Sequence, residues 1–164
     1  MTEEEMMDRF RLIVERTRAE IYLVRSDGYI EYLNTAAAQS LGYQVDELIG
    51  KNVSLFDPDY GPRFSQHFEE IKSSDGPPIE TFHITRDGRK IIKEMRSVYL
   101  KAGENEYLCG FGLDITDQKK TQTLLAESEE KYRTLVENMQ DGVFIAQDSK
   151  IMFANEPYAR ILGY

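Results

Sequence analysis

The chain has 164 residues, 41% hydrophobic and 30% charged, with a formal net charge of −9. That length allows one domain or slightly more, of ordinary globular composition. The acidity excludes a general binder of nucleic acid or anionic membrane, because phosphate-rich partners need clustered Lys and Arg, and it serves solubility instead. Cys109 is the single cysteine, so neither an internal disulfide nor a cysteine metal cluster can form, which fits a reducing compartment. No apolar run approaches the roughly 20 residues that span a bilayer, and the acidic N-terminus has no signal-peptide pattern. The expected location is cytoplasmic, with no membrane contact by this segment.

Residues 2–17 are expected to be helical. Met6, Phe10, Ile13 and Val14 recur at helical spacing, and Glu3-Glu4-Glu5 suit the positive end of the helix dipole. The stripe needs a surface to cover, and Phe10, Ile13 and Val14 are the candidate dimer contact. Ile21–Val24 and Tyr29–Leu33 flank Ser26-Asp27-Gly28 and read as a hairpin. Asn34 can cap a short helix through Leu41 that Gly42 stops, and Asp46–Ile49 makes a further helical turn ended by Gly50. Residues 56–62 form a loop and 63–73 a helix with Phe64, Phe68 and Ile71 on one face; Ser73-Ser74-Asp75-Gly76-Pro77-Pro78 breaks it. Strands are expected at 79–86 and 90–101 around Arg86-Asp87-Gly88-Arg89, and at 107–115 after a loop at 102–106. The order predicts an α+β fold, a five-stranded antiparallel sheet with short helices on one face. An N-terminal helix and a C-terminal linker helix flank it.

The opening of this unit recurs. With one residue deleted in the turn, Arg11, Val14, Glu15, Asp27, Ile30, Asn34, Ala38, Leu41, Gly42 and Tyr43 fall on Arg133, Val136, Glu137, Asp148, Ile151, Asn155, Ala159, Leu162, Gly163 and Tyr164. A repeat of this period defines the folding unit. The chain divides into a helix (1–17), a complete module (18–116), a linker helix (117–138) and the start of a second module (139–164). That second copy lacks the three strands that would cover Val143, Ile145, Ile151 and Phe153. It is expected to be disordered, docked on a neighbour, or exchanged between chains, and its abrupt end is that of a piece of a longer protein.

Three stretches resemble a PAS domain: DGYIEYLNTAAAQSLGY followed by DELIGKN, then ITRDGRKI, then GFGLDITDQKK with its Asp-Ile-Thr ending. The resemblance covers residues 10–117 and recurs at 132–164. It implies the PAS fold and a sensory or dimerisation module, of the kind found in tandem upstream of histidine kinases and diguanylate cyclases. No phospho-accepting His motif, Gly-rich ATP motif or P-loop is present in the sequence, so this segment is not expected to be an enzyme.

In the last strand Leu108, Gly110, Gly112 and Asp114 share one face, and Cys109, Phe111, Leu113 and Ile115 the other. PAS domains often turn the position two before the terminal Asp toward a ligand, and here that is Gly112. The candidate pocket is a cavity over Leu108, Gly110 and Gly112, walled by Phe56, Phe64, Phe68 and Ile71; close helix-on-sheet packing is the alternative use of the two glycines. Haem would need an axial histidine. His67 on helix 63–73 reads as an exposed helix histidine, and His83 falls on a strand. Flavin photochemistry would need a cysteine where residues 52–60 hold NVSLFDPDY. Both cofactors are disfavoured, and an unidentified small molecule or redox cue remains. Cys109 reads as a buried, inert thiol. Asp57 and Asp59 read as turn residues beside Pro58 and Gly61 rather than as a site. No catalytic grouping and no metal site is recognisable.

Residues 116–138 contain no Gly or Pro and are rich in helix formers. Leu125, Ser128, Tyr132, Leu135 and Met139 make an imperfect heptad seam. The expected function is a sensory module of a two-component signalling protein, a histidine kinase first of all. It detects a small ligand or redox cue and passes the change through Asp114, Ile115 and Thr116 into the linker helix, toward an effector domain of the parent chain. A homodimer is the expected assembly. The alternative function is a ligand-free dimerisation or protein-interaction module.

Overall fold

The computed structural model describes residues 2–73 and 76–163, in two compact units divided between Asp117 and Gln118; Ser74 and Asp75 of the expected helix break and Tyr164 of the repeat lie outside the described residues. In the first unit, helix α1 (Glu3–Arg16) starts in a capping box: the Thr2 hydroxyl accepts from Glu5 N–H, and the Glu5 carboxylate accepts from Thr2 N–H. None of its residues is buried. Phe10 is 58% and Ile13 64% exposed, and Val14 is half-buried.

Strands β1 (Glu20–Arg25) and β2 (Ile30–Leu33) pair antiparallel. Their turn closes through Gly28 N–H to Arg25 O, with Gly28 at φ +82°, a conformation that costs glycine nothing. Helix α2 (Thr35–Leu41) follows, capped at its start by the Asn34 side chain and stopped by Gly42 in the left-handed region. Helix α3 (Val45–Leu48), a 3-10 turn (Val53–Leu55), a second 3-10 turn (Gly61–Arg63) and α4 (Phe64–Ser73) complete the helical layer.

The chain then returns through β3 (Ile79–Ile84), β4 (Lys90–Ala102) and β5 (Asn105–Asp114). The sheet order is β2-β1-β5-β4-β3, antiparallel throughout. β3 ends two residues before the expected point. The Thr85 hydroxyl accepts from Arg89 N–H at 3.0 Å, which draws Thr85 and Arg86 into the turn. The expected loop at 102–106 shrinks to Gly103-Glu104, because the β4–β5 ladder runs on to Ala102 and Asn105.

The core lies between the helices and one sheet face. Leu33, Ala37, Leu41, Leu48 and Phe68 are at most 1% exposed. Along β5 the expected alternation holds: Leu108, Gly110 and Gly112 are buried, whereas Phe111 and Leu113 face out. Ile115, past the strand's end, is buried instead of following its outward set, because the backbone turns there into the next helix.

Helix α5 (Thr116–Glu137) crosses the boundary between the units and buries none of its residues. In the second unit β6 (Phe144–Gln147) and β7 (Lys150–Ala154) form a hairpin, and α6 (Glu156–Leu162) follows. The opening segment of the second copy thus repeats the hairpin and helix of the first, while Phe144, Ile145 and Ile151 stay more than half exposed. The residue lost between the copies comes out of the hairpin turn. The first copy uses Ser26-Asp27-Gly28; the second turns on Asp148 and Ser149 alone, both at positive φ, as a two-residue turn of the primed type demands.

Candidate functional site

A cavity of about 50 Å³ lies between β1, β3, β4 and β5 and the segment from Val53 to Phe64. Of the residues expected to form it, Phe56, Phe64, Leu108 and Gly110 line it. Phe68 and Ile71 are buried in the same core but do not line it; Phe68 packs edge-on against Tyr99 instead, ring centroids 6.0 Å apart. Gly112 does not line it either. A Cβ there would lie 2.9 Å from Glu20 Oε2 and 3.1 Å from Met95 Sδ, so this glycine makes room for a buried carboxylate. The two strand glycines thus do different work. Gly110 borders the cavity, where a Cβ would meet Met95 Cε at an ordinary 3.5 Å.

The cavity also holds polar groups not expected from the sequence. Asp57 and His83 line it, each with its side chain 3% exposed, and His83 Nε2 lies 3.6 Å from Asp57 Oδ2. Asp57 accepts from the Thr81 hydroxyl at 2.9 Å and from Tyr60 N–H at 2.9 Å. Burial pushes its carboxyl up to about 6. Burial, with help from the Lys93 charge, brings His83 down to about 3, so its imidazole is neutral at physiological pH. His83 Nδ1 and Tyr60 Oη are buried without a hydrogen-bond partner. The reading of Asp57 as a mere turn residue is therefore incomplete: it does close the turn onto Tyr60, and it also puts a carboxylate into the core. His67 is corrected too. Its side chain is 11% exposed, packed 4.8 Å from the Tyr60 ring, and burial lowers its pKa. Cys109 is half-buried, and that burial pushes its thiol up.

Beside the cavity sits a buried charge cluster. Lys93 occupies a core-facing position of β4, fully buried, and its ammonium binds the Glu20 carboxylate, the Ser40 hydroxyl at 2.6 Å and Asp114 Oδ2 at 3.6 Å. The Tyr22 hydroxyl donates to Glu20 Oε2 at 2.9 Å, and burial followed by the Glu20 charge raises its pKa. Asp114, Ile115 and Thr116 meet where the sheet ends. Thr116 N–H donates to Asp114 Oδ1 at 2.9 Å, and the Thr116 hydroxyl accepts from Ile92 N–H at 2.8 Å. Partial burial pushes Asp114 up, but the bonds from Thr116 and Lys93 outweigh it and hold the carboxyl below its usual range. One strand thus carries the cavity's Leu108 and Gly110 and ends in the cap of α5.

Among the described residues no helix is long and apolar enough to cross a membrane, and no cluster of three or more His, Cys, Asp or Glu side chains could hold a metal. The PAS domain family model matches residues 19–117, and a second PAS domain model matches residues 130–164. Sporulation kinase A of Bacillus subtilis (strain 168) is 30% identical over 135 residues, covering 79% of this chain and 22% of that protein, so the chain spans about a fifth of the curated relative's length. Among solved structures, the PAS domain of an HTR-like protein from Haloarcula marismortui superposes with a TM-score of 0.63 at 22% identity, over 68% of this chain and 93% of that one. A sensory box histidine kinase/response regulator from Burkholderia thailandensis E264 superposes with a TM-score of 0.57 at 25% identity, over 77% and 98%. The family match over most of the chain, the five-stranded sheet with its helical layer and the second match at the repeat agree: the chain belongs to the PAS domain family.

Proposed function

We propose that this chain is the sensory and relay segment of a sensor histidine kinase. Occupancy of the cavity changes β5, and Asp114-Ile115-Thr116 hand the change to α5 and so to a downstream kinase domain. The observation that carries this reading is the continuity of β5 from the cavity to the cap of α5. The similarity to Sporulation kinase A supports the kinase context. A ligand shifts such a device only by the difference in its affinity for two arrangements. A cytoplasmic setting agrees with the lone reduced cysteine.

The segment works as a homodimer in this reading, with α1 supplying the contact through Phe10, Ile13 and Val14, since no residue of that helix is buried in the monomer. The deciding experiment measures autophosphorylation of the full-length parent. Asp114→Ala should uncouple kinase output from stimulus while the segment still folds with an unchanged circular dichroism spectrum. Normal stimulus response in a folded Asp114→Ala parent overturns the relay.

A further inference from the structure

We propose that the cavity binds a small organic ammonium cation, of methylammonium size, on the Asp57 carboxylate inside a box of aromatic rings. This deepens the sensory reading above and rests on it. Four rings wall the space: Tyr22, Phe56, Tyr60 and Phe64. Tyr22 and Phe56 lie 6.0 Å apart, and Tyr60 and Phe64 stand edge to face at 6.3 Å. Aromatic faces attract a desolvated cation through the ring quadrupole, and aromatic cages are a general solution for alkylammonium ligands.

The polar groups point to the same chemistry. No Lys or Arg lines the cavity. Lys93, the nearby buried cation, is held by Glu20. Arg63 acts on Asp57 from outside the cavity and is opposed by Asp59. Asp57 is therefore a desolvated carboxylate with hydrogen-bond donors but no cation seated on it in the cavity. A carboxylate or phosphate ligand would be repelled, and a neutral one would leave that charge uncompensated. Nor does His83 oppose a cation, since it is neutral. Its Nε2 lies 3.6 Å from Asp57 Oδ2, and its Nδ1 is buried on the other side of the ring. The Asp57 carboxylate is the acceptor for the ammonium group, and the remaining wall is apolar enough to take its methyl.

Size sets the upper limit. A cavity of about 150 Å³ admits benzene, so about 50 Å³ has room for only a few non-hydrogen atoms. Flavin, haem and tetramethylammonium are too large for it.

The test titrates the 164-residue chain with methylammonium chloride, with sodium chloride at equal ionic strength as reference, and follows melting temperature and amide NMR shifts. Methylammonium should raise the melting temperature at millimolar concentration and move the signals of Tyr60 and His83. Sodium acetate, acetamide and tetramethylammonium should do neither. Asp57→Asn should weaken binding by roughly thirtyfold or more, the cost of losing one partner of a buried charge pair. Should that variant fail to fold, the wild-type shifts at Tyr60 and His83 still decide. If methylammonium moves neither readout, or acetate or acetamide moves both, the assignment is overturned. The relay reading is judged separately by Asp114→Ala in the parent, so the two can fail independently.

Discussion

Lys93→Met takes away the buried ammonium while keeping a long side chain of similar volume. Glu20, 6% exposed, then keeps its carboxylate with only the Tyr22 hydroxyl on one oxygen. Removing one member of a buried ion pair costs about 3–5 kcal/mol, because the charge left behind is uncompensated. At a urea slope near 1.5 kcal/mol/M, that lowers the midpoint by about 2 M or more, readily followed by far-UV circular dichroism. Glu20→Gln combined with Lys93→Met removes both charges and keeps an acceptor for Tyr22, so the double variant should recover most of the loss, to within about 1–2 kcal/mol of wild type. Asp114, at 3.6 Å and with its side chain 43% exposed, is screened by solvent, and Asp114→Asn should cost less than about 1 kcal/mol. A single variant that loses under 1 kcal/mol, or a double variant no better than the single, would refute the view that Glu20 and Lys93 hold each other in the core.

The two strand glycines should respond differently to alanine. Gly112→Ala forces a Cβ to 2.9 Å from Glu20 Oε2 and should cost about 1–3 kcal/mol by overpacking, whereas Gly110→Ala should fold within about 1 kcal/mol of wild type, both read by thermal melts. The Asp57–His83 pair makes a pH prediction. Asp57, raised to about 6, contributes stability that is full below its unfolded value of 3.8 and lost as pH rises through 6. His83, lowered to about 3, contributes stability that is full above its unfolded value of 6.5 and lost as pH falls toward 3. Between pH 6 and 4 the two slopes oppose one another, so Asp57→Asn should lose about 2–3 kcal/mol relative to wild type on acidification from pH 7 to 4; parallel unfolding curves at the two pH values would contradict it. Asn34→Ala should cost about 3 kcal/mol in urea unfolding, since it strands two N–H groups and two carbonyls in a part of the core where Asn34 is 0% exposed.

The periodic parts of this molecule were legible from residue order. Asn34 and Gly42 bracket α2 because a side-chain cap and a left-handed stop are local events, and the alternation along β5 needed only its own residues. What escaped reading depends on distant partners. Lys93 stands two residues from Ile91 and two from Met95, in phase with the core face, yet a lysine there makes sense only once Glu20, 73 residues away, comes to meet it. Gly112 looked like a second pocket residue for the same reason: Glu20 is its register partner across β1 and β5 and fills the space it leaves. Asp57 in Phe-Asp-Pro-Asp has the composition of a turn. Its local role, the bond from Tyr60 N–H, is a turn role; its placement against Thr81 and His83 is set by β3.

The repeat shows how each unit holds the helix that precedes it. The Asn34 amide spends all four of its hydrogen bonds on one junction. Its oxygen accepts from Ile21 and Ala37 N–H, and its nitrogen donates to Val14 and Ala19 carbonyls. Asn155 does the same in the second unit, accepting from Val143 and Tyr158 and donating to Val136 and Asp141. Val14 lies in the last turns of α1 and Val136 in those of α5, where carbonyls lack partners within the helix. One side chain therefore fastens the end of the incoming helix, the start of the first strand and the start of the next helix. In the first copy Glu15 adds a second tie, accepting from Thr35 N–H at 3.1 Å and from the Tyr32 hydroxyl. α5 is thus gripped at its first residue by Ile92 and near its last by Asn155, although it buries no side chain along its length. In the relay proposed above, α5 would be addressed through Asp114 and Thr116 at its start and Asn155 near its end, by polar side chains rather than by a packed face.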